Sequence, residues 1–514
     1  MEATSPAALT QQSVLTFLAD PRAHGGAAVQ RVETHCSVVF LVGGRALKVK
    51  RAVRYPYLDY STLALRHAAC AAELAVNQAI APSLYTGIVA ITRDAQGRLS
   101  IGGTGSPVEW AVDMRRFDPH CAFDVMADRG LLTADLLDAT ADVIAAMHQR
   151  AEVRVQPEQS TPLAHIVVQN NDLLRSLATD ALNSSRVEAF AHAAVAEAAR
   201  IQDLLFARRQ VGKVRRCHGD LHLRNLCVFE GKPTPFDAIE FDERLATIDV
   251  LYDLAFLLMD LWGRGLRDAA NRVFNRYLER TEELDGLAAL PLFLATRDAI
   301  RVHVTLTAAA QQELPKRQNL RDAAAGYFAL ARSLLEHSQP QLVVIGGLSG
   351  TGKTVQSRRL APALTPAPGA VVLRSDVMRK RMMGVEPTTR LPADSYRPAV
   401  TAQVYAQLAR DARTALTAGH SVIVDAVCAR AEERDAFRAL ADAAGARFAG
   451  VWLEAPLSVR VDRIGTRLGD ASDATGDVAA RQEGIDVGDM RWRRVPAGGP
   501  AETTAAAVRA AVEG

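Results

Sequence analysis

Apolar and polar residues alternate with two different periods along this chain. Up to about residue 117, short stretches rich in β-branched and aromatic side chains lie between turn residues, which is the pattern of strands. The clearest case is residues 36–42 and 45–50, which predict two strands joined as a hairpin by Gly43 and Gly44. From residue 131 the apolar positions recur every three or four residues, which predicts helices. A β-rich region is therefore expected to precede a helical one.

The same patterns locate further elements. In the first part of the chain they predict a helical lead-in over about 1–30, a helix over 61–80, strands over 84–91 and 108–117, and helices over 131–148, 173–182, 187–209 and 248–262. After residue 340 they predict strands over 342–345, from 370, over 421–425 and over 448–454, with a helix over 399–418. Strands that alternate with helices in this way indicate an α/β domain with a parallel sheet.

Size and composition bound the class of protein. A chain of 514 residues is too long for one hydrophobic core, so two or three domains are expected. With 49% apolar and 23% charged residues, it has the composition of a soluble globular protein. The net charge of +2 argues against nucleic acid as a partner. The six scattered cysteines, the absence of a signal sequence and the lack of any 18-residue apolar run predict a cytoplasmic protein with no membrane partner.

A glycine-rich stretch after the strand at 342–345 fits the pattern G-x-x-x-x-G-K-[ST]. Glycines in such a loop let backbone N–H groups close on phosphate oxygens, while the lysine reaches the outer phosphates and the last hydroxyl binds Mg²⁺. This motif predicts a nucleoside triphosphate site, with ATP and Mg²⁺ as cofactors. The residues predicted to bind nucleotide are Gly347, Ser349, Gly350, Thr351, Gly352, Lys353 and Thr354, and Thr354 is also a predicted metal ligand.

A second set of phosphate-handling residues lies upstream. Lys48, in Ala46-Leu47-Lys48, is similar to the V-A-I-K lysine of protein kinases, and Glu73 on the following helix is its predicted partner. Asp220 stands five residues before Asn225, the spacing of the kinase catalytic loop. In that loop the aspartate accepts the proton of the attacking hydroxyl and the asparagine holds Mg²⁺. Asp237, after a short strand and turn, is predicted as the second metal ligand.

The stretch His218-Gly219-Asp220-Leu221-His222, with Asn225 and Asp237, resembles the aminoglycoside phosphotransferase family, whose kinase-fold members phosphorylate hydroxyls of small molecules. The resemblance covers residues 1–337. It implies a bilobal protein-kinase-like domain, with a small lobe over about 1–117 and a large lobe over about 118–337. It also implies that Asp220 is the catalytic base, that Asn225 and Asp237 bind metal, and that Lys48 with Glu73 positions phosphate. A glycine-rich loop of the protein-kinase type is lacking, so residues 34–37 are expected to cover the phosphates.

For several neighbouring polar residues, a structural role is expected or is one of two alternatives. His218 and His222 are expected to fix the loop by hydrogen bonds, because Asp220 already supplies a base. Glu240 and Asp242 could either assist metal binding or cap a helix, and the sequence leaves both open. Asp249 and Asp253, four residues apart on a predicted helix, are expected to share a face toward the catalytic loop and to act structurally.

The second half carries its own candidates for chemistry. Asp376 follows a strand end beside the glycine-rich loop, where α/β sheets bind substrate, although a helix N-cap is an alternative reading. Asp425 ends another strand and fits the metal-ordering aspartate of nucleotide-binding sheets. Residues 340–500 resemble the P-loop kinases that include gluconate kinase, chloramphenicol phosphotransferase and zeta toxins. That likeness implies that Asp376 activates the acceptor hydroxyl, that Arg379 orients it and that Arg467 stabilises the transition state. Arg460 and Arg463 are read either as lid residues or as a solvated helix face.

The charged, proline-marked segment 336–340 predicts a junction between a kinase-like domain, 1–337, and a P-loop domain, 340–514. The combination resembles bacterial proteins described as bifunctional aminoglycoside phosphotransferase and ATP-binding proteins. The first hypothesis is an enzyme with two nucleotide sites, each moving a γ-phosphoryl group to a hydroxyl of a small molecule. One alternative is a single kinase regulated by a P-loop sensor domain, and a third is a polynucleotide 5′-hydroxyl kinase. The acceptor, the choice of ATP or GTP, the coupling of the sites and the oligomeric state stay open.

Overall fold

The computed structural model describes residues 6–55, 58–154, 162–177, 182–310, 312–466 and 470–513. The chain divides into two compact units, Met1–Pro157 with Arg209–Leu257, and Glu158–Arg208 with Leu258–Gly514. The predicted junction at 336–340 lies inside the second unit, and the domain boundary stays a prediction.

A six-stranded antiparallel sheet forms much of the first unit, in the strand order β1-β2-β3-β8-β6-β7. The hairpin predicted over 36–50 is its centre, because β2 pairs with β3, and β3 pairs with β8 on its other side. The elements of this region are α1 (Pro6–Ala19), β1 (Val29–Glu33), β2 (Ser37–Val42), β3 (Arg45–Lys50), β4 (Arg54–Tyr55), β5 (Leu58–Asp59), α2 (Leu63–Ile80), β6 (Tyr85–Arg93), β7 (Leu99–Ile101) and β8 (Ser106–Arg115).

The two faces of this sheet bury different apolar clusters. On one face, Val14, Leu15 and Leu18 of α1 pack against Phe40 and Leu47. The other cluster joins Cys70 of α2 to Leu84, Tyr85 and Val112, and it also includes Cys227 and Phe229 of a later hairpin. Because both faces are covered, a lysine on β3 has to be buried with a counter-charge.

The middle of the chain is mainly helical, with short two-stranded sheets that pair β10 with β11 and β9 with β12. Its elements are α3 (Phe123–Asp128), α4 (Ala134–Arg150), α5 (Pro162–Leu177), α6 (Ser184–Arg200), α7 (Gln202–Gln210), β9 (Val214–Arg216), β10 (Leu226–Phe229), β11 (Lys232–Pro235), α8 (Glu243–Ala246), β12 (Thr247–Asp249), α9 (Val250–Gly263), α10 (Arg267–Thr281), α11 (Leu290–Ala310) and α12 (Lys316–Leu334).

Several element predictions for residues 1–263 need correction. The helix expected over 173–182 begins eleven residues earlier, as α5. The earlier start is hidden in the sequence because the buried Asn170 and Asn171 interrupt the apolar pattern that Leu163, Val167 and Leu174 form. The helix expected over 187–209 is two helices that meet at Ile201. Of the helical lead-in expected over about 1–30, helix α1 covers Pro6–Ala19, and the edge strand β1 begins at Val29. Asp249 ends β12 instead of lying on the helix with Asp253.

A five-stranded parallel sheet lies in the second unit, in the order β14-β15-β13-β16-β17. Its central strand β13 is buried at every position and leads into the glycine-rich loop. The elements are β13 (Gln341–Gly347), α13 (Lys353–Leu360), β14 (Val371–Arg374), α14 (Ser375–Met382), α15 (Pro398–Thr417), β15 (Val422–Asp425), α16 (Ala431–Ala443), β16 (Arg447–Glu454), α17 (Leu457–Gly465), α18 (Gly476–Gln482), β17 (Arg493–Pro496) and α19 (Ala501–Glu513).

Parallel order brings the carboxyl ends of these strands to one edge, where the α/β architecture binds ligands. Val343, Ile345, Ile423 and Val451 form the buried interior, with Val508 of α19 packed against it. Among the residues described, no helix has the length and apolar character needed to cross a membrane.

Candidate functional site

Three charged side chains of the antiparallel sheet and α2 form a buried network. Lys48 Nζ donates to Glu73 Oε1 at 2.8 Å and to Asp237 Oδ1 at 2.5 Å. Lys50, two positions along the same strand, contacts the other oxygen of Glu73 at 2.5 Å and Glu240 Oε1 at 2.5 Å. The side chain of Glu73 is fully buried, so both of its oxygens are held by ammonium groups.

The charges of this network support one another. Burial opposes ionisation of Glu73, but Lys48 and Lys50 outweigh it and lower the pKa of this carboxyl to about 2. Burial also opposes the charge on Lys48, yet Asp237 and Glu73 raise its pKa well above the usual value. Both groups are therefore ionised at neutral pH, and Lys48 is a fixed positive charge.

The loop predicted to be catalytic follows β9 and is closed by Asn225. Asn225 Nδ2 donates to both the carbonyl and the Oδ2 of Asp220, each at 2.9 Å. The N–H of Phe236 donates to the carbonyl of Asn225 at 2.9 Å, which puts Asp237 beside the loop. Asp237 itself has φ of 61°, and its N–H donates to Tyr85 Oη at 3.1 Å. These hydrogen bonds bring Asp220, Asn225 and the backbone next to Asp237 together.

The two histidines fix this loop, as expected. His218 is completely buried, donates through Nε2 to the carbonyl of Phe236 at 3.0 Å, and accepts from the N–H of Asp220 at 3.3 Å. Burial lowers the pKa of His218, so its ring is neutral. His222 accepts from the N–H of Arg224 at 3.2 Å and lies 3.4 Å from Asp220 Oδ2.

Asp253 holds the backbone of this loop by hydrogen bonds. Its carboxylate accepts from the N–H groups of His218 and Gly219, at 3.0 and 2.8 Å, and pairs with His148 Nε2 at 3.1 Å. Gly219 has φ of +85°, and a Cβ there would lie 3.2 Å from the carbonyl of Leu245. The structural role expected of Asp253 is thus confirmed, and this backbone requires glycine.

The open choice for Glu240 and Asp242 resolves differently for each residue. Glu240 accepts from Lys50 and, at 3.2 Å, from Tyr60 Oη, so it extends the buried ion network. Asp242 is the N-cap of α8 and accepts from the N–H of Arg244 at 2.9 Å. Lys50 was not among the predicted site residues, and the ion pair of Glu240 with Lys50 was not expected. The signal in the sequence was the alternation of Lys48 and Lys50 on one face of β3.

The glycine-rich loop lies at the end of β13. Gly347, Gly350 and Gly352 all have positive φ, at 140°, 88° and 93°. A Cβ on Gly350 would lie 2.6 Å from the carbonyl of Arg460, so the loop passes too close to α17 for any other residue. Lys353 Nζ donates to the carbonyl of Leu348 at 3.2 Å, and Thr351 Oγ1 donates to the same oxygen at 2.8 Å.

Loop amides and side chains at this site already have partners. The N–H of Ser349 donates to Gln482 Oε1 at 2.8 Å, and Thr354 Oγ1 donates to Asp425 Oδ2 at 2.6 Å. The Thr354 hydroxyl and the Asp425 carboxylate are therefore adjacent, as a hydroxyl and an aspartate that serve one Mg²⁺ have to be. Asn225 and Asp237 also offer hard oxygen donors, so the chemistry of both donor sets fits Mg²⁺.

Asp376 is the second residue of α14, whose N-cap is Arg374, so the N-cap reading of Asp376 is wrong. Burial and the neighbouring Asp425 raise the pKa of the Asp376 carboxyl. Ser472 donates a hydrogen bond to it. A carboxyl with a raised pKa is a better proton acceptor than an ordinary aspartate.

Most of the candidate arginines of this half bond to other groups of the protein. Arg460 is buried, pairs with Glu483 and contacts the carbonyl of Ser349 at 3.4 Å. Arg463 contacts the carbonyl of Thr351 at 3.4 Å and donates to that of Ala497 at 2.7 Å. The solvated-face reading of these two is therefore wrong, since both support the loop. Arg379 donates to the carbonyl of Ser395 at 2.7 Å and lies over the ring of Tyr396. Arg467, the predicted transition-state residue, lies outside the described residues.

Comparison with known proteins gives two domain matches. The model of the phosphotransferase enzyme family matches residues 65–291, and the model of an AAA domain matches residues 342–484. Three uncharacterized proteins, one from Mycobacterium bovis and two from strains of Mycobacterium tuberculosis, are 31% identical over 483 residues, covering 91% of this chain and 92% of theirs.

Solved structures are similar to separate parts of the chain. A choline/ethanolamine kinase family protein from Mesorhizobium loti is 16% identical, with a TM-score of 0.40, and the match covers 64% of this chain and 95% of that one. A gluconokinase from Sinorhizobium meliloti is 21% identical, with a TM-score of 0.25, covering 34% of this chain and 94% of that one. The adenylylsulfate (APS) kinase of Mycobacterium tuberculosis is 24% identical, with a TM-score of 0.26, covering 34% and 99%.

Proposed function

The chain belongs to the family of its mycobacterial relatives, with a phosphotransferase-family domain followed by an AAA domain, and on this premise we propose an ATP-dependent phosphotransferase with two nucleotide sites. Each site moves a γ-phosphoryl group to a hydroxyl of a small molecule. Two kinase-type domains support phosphoryl transfer in general. The alcohol acceptor, the second active site and the cofactors ATP and Mg²⁺ are parts of the proposal.

In the first site, Asp220 accepts the proton of the attacking hydroxyl. The bond from Asn225 Nδ2 to Asp220 Oδ2 orients that carboxylate, and the neutral His218 keeps the loop in place. Lys48 binds phosphate oxygens, and Glu73 holds the ammonium group where the sheet presents it. The protein contributes position and charge, and no covalent intermediate on the chain is needed.

Oxygen ligands for Mg²⁺ are present in both halves. Asn225 and Asp237 would hold the ion in the first site, and Thr354 with Asp425 in the second. When bound, Mg²⁺ neutralises the phosphate charge that develops during transfer. In the second site Lys353 and the loop amides bind phosphates, and Asp376 takes the acceptor proton.

The observation that carries the proposal is the contact of Lys48 with Asp237, 189 positions apart, next to the pair Asp220–Asn225. The test is a screen for phosphorylated products, using sugars, aminoglycosides and amino alcohols as acceptors with ATP and Mg²⁺. It compares the wild type with Asp220→Asn and Lys353→Ala. Loss of the base should reduce turnover at the first site by about 100-fold or more. Lys353→Ala should remove a different product.

Asp135→Asn, an exposed aspartate in the first turn of α4, is the matched control and should keep full activity. If Asp220→Asn forms the first product at the wild-type rate, Asp220 is not the base. If the wild type turns over no acceptor in the presence of ATP and Mg²⁺, the first half loses its catalytic assignment.

A second candidate is regulation, in which the P-loop domain binds ATP and controls the kinase-type domain. Asn271 and Asn275 of α10 lie inside the range matched by the phosphotransferase model. Asn271 donates to the carbonyl of Ala370, just before β14, and Asn275 accepts from the N–H of Val372 in β14 of the P-loop sheet. These contacts support coupling between the P-loop site and a helix of that range. If Lys353→Ala alters the rate of the Asp220-dependent product and removes no other product, regulation is the better description.

A further inference from the structure

One buried arginine of the P-loop sheet belongs to none of the roles described so far. Arg374 ends β14, and its side chain is 6% exposed. Its Nη2 lies 2.7 Å from Asp470 Oδ1 and 3.3 Å from Thr354 Oγ1. Its Nε lies 3.6 Å from Asp425 Oδ2. A guanidinium thus stands beside both residues assigned to the metal.

The charge of this arginine is permanent. Burial opposes it, but Asp425 and Asp470 raise the pKa of the guanidinium above its usual value. Arginine also keeps its proton in proteins at any ordinary pH. Arg374 therefore offers the P-loop site a fixed cation.

The contacts of Arg374 are incomplete for a purely structural ion pair. A buried arginine and carboxylate usually form two parallel hydrogen bonds. Arg374 makes a single short contact with Asp470, and its buried Nε has no hydrogen-bond partner among the described residues. A buried donor that lacks a hydrogen bond is costly, and Nη2 of the same guanidinium lies at Thr354, so this cation is placed to take a phosphate oxygen as a further acceptor.

We propose that Arg374 binds the terminal phosphate of the nucleotide in the P-loop site, and that Asp470 is the anion it exchanges for that phosphate. Thr354 belongs to the phosphate cradle, and the guanidinium is already in contact with its hydroxyl. A triphosphate supplies the second acceptor that Asp470 does not. Because Arg374 contacts only the terminal phosphate, the site favours ATP over ADP. Because Asp470 competes for the same cation, the site binds ATP less tightly than it would without this aspartate. The inference rests on the proposed nucleotide binding by the glycine-rich loop.

The test is calorimetric titration of the full-length protein with ATP and with ADP in excess Mg²⁺. All variants carry Asp237→Asn, which weakens the other nucleotide site and leaves the P-loop site to be measured. On this background, Arg374→Gln should weaken ATP binding about tenfold or more, the range of a lost hydrogen bond to a charged group, and ADP binding by less than about threefold. Asp470→Asn should tighten ATP binding about threefold or more, since it removes the competing anion.

Arg447→Gln, at the exposed start of β16, is the matched control and should change neither affinity. If Arg374→Gln unfolds the protein, Arg374→Lys and Asp470→Asn decide the question. The lysine should keep part of the preference for ATP, because the charge remains without the planar fork.

Three results would overturn the inference. They are unchanged ATP binding in Arg374→Gln, equal losses for ATP and ADP, and tighter ATP binding in Arg374→Gln, which would mean that the guanidinium only blocks the metal position. Lys353→Ala separates this outcome from failure of the proposed function. If Lys353→Ala weakens both nucleotides while Arg374→Gln weakens neither, only the role of Arg374 is lost. If Lys353→Ala weakens neither, nucleotide binding by the loop is lost as well.

Discussion

At the scale of single residues, the buried lysines of β3 show how charge is kept inside the first unit. Glu73 is fully buried, yet it remains ionised because Lys48 and Lys50 each hold one of its oxygens. Lys50 in turn neutralises Glu240, whose other partner is Tyr60. The position of Lys48 therefore depends on a second lysine that does not itself contact Asp237.

Replacing Lys50 with methionine should be strongly destabilising. The change leaves Glu73 with one cation and Glu240 with Tyr60 alone, and a buried charge without its partner costs about 3 kcal/mol. We expect a lower free energy of unfolding in urea and, because Glu73 then positions Lys48 less well, a higher KM for ATP at the first site. Lys50→Arg should recover part of both properties.

Lys232→Met, an exposed lysine in β11, is the control and should change the free energy of unfolding by less than about 0.5 kcal/mol. Equal stability of Lys50→Met and Lys232→Met would show that the buried network contributes little.

At the scale of elements, the glycine-rich loop is positioned by the helix that follows β16. Arg460 of α17 is buried beside the loop, and its backbone carbonyl fills the place where a side chain on Gly350 would begin. Gly350 is thus required for a packing reason in addition to its positive φ.

Gly350→Ala should therefore disrupt the P-loop site. A Cβ 2.6 Å from the Arg460 carbonyl forces either the loop or α17 to move, and the strained φ adds about 1–3 kcal/mol. We expect a lower thermal unfolding midpoint and loss of nucleotide binding dependent on Lys353, measured by titration calorimetry. Gly465→Ala, at the end of α17 with open space around its Cβ, is the matched control. Unchanged binding in Gly350→Ala would mean that the loop accommodates the methyl group.

At the scale of the whole molecule, residues that precede the predicted junction at 336–340 contact the P-loop sheet. Asn275 of α10 donates to the carbonyl of Ala370 at 3.1 Å and accepts from the N–H of Val372 at 2.7 Å, so it satisfies the edge of β14. His420, before β15, donates to the carbonyl of Leu287 at 3.1 Å. Residues of the helical region thus complete the sheet within the second unit.

The burial of His420 makes the stability of this unit sensitive to acid. Burial lowers the pKa of His420 from 6.5 to about 4, so the unfolded chain binds a proton below pH 6.5 that the folded protein does not bind until about pH 4. Its contribution to stability is therefore intact above pH 6.5 and falls between pH 6.5 and pH 4. Between pH 7 and pH 5 the wild type should lose about 2 kcal/mol more than His420→Gln, measured by urea unfolding.

His337→Gln, an exposed histidine, should lose as much stability as the wild type over the same range. The explanation fails if His420→Gln and the wild type lose equal stability.

Much of the organisation could be predicted from local patterns. The hairpin of β2 and β3, the strand before the glycine-rich loop, and the class of both halves follow from apolar periodicity and turn residues that act over a few positions. The candidate residues followed from spacings with a chemical reason, such as the five positions from Asp220 to Asn225. Their roles in catalysis stay predictions.

The chain by itself determined which residues could bind phosphate and metal, because glycine, lysine and carboxylate chemistry is a property of each side chain and its near neighbours. Only the tertiary structure decided which charges meet. Lys50 reaches Glu240 across 190 positions, Arg374 reaches Asp470 across 96, and Asn275 reaches Val372 across 97. No local pattern encodes such pairs, since burial selects a partner by the packing of whole elements and makes an unpaired polar group costly.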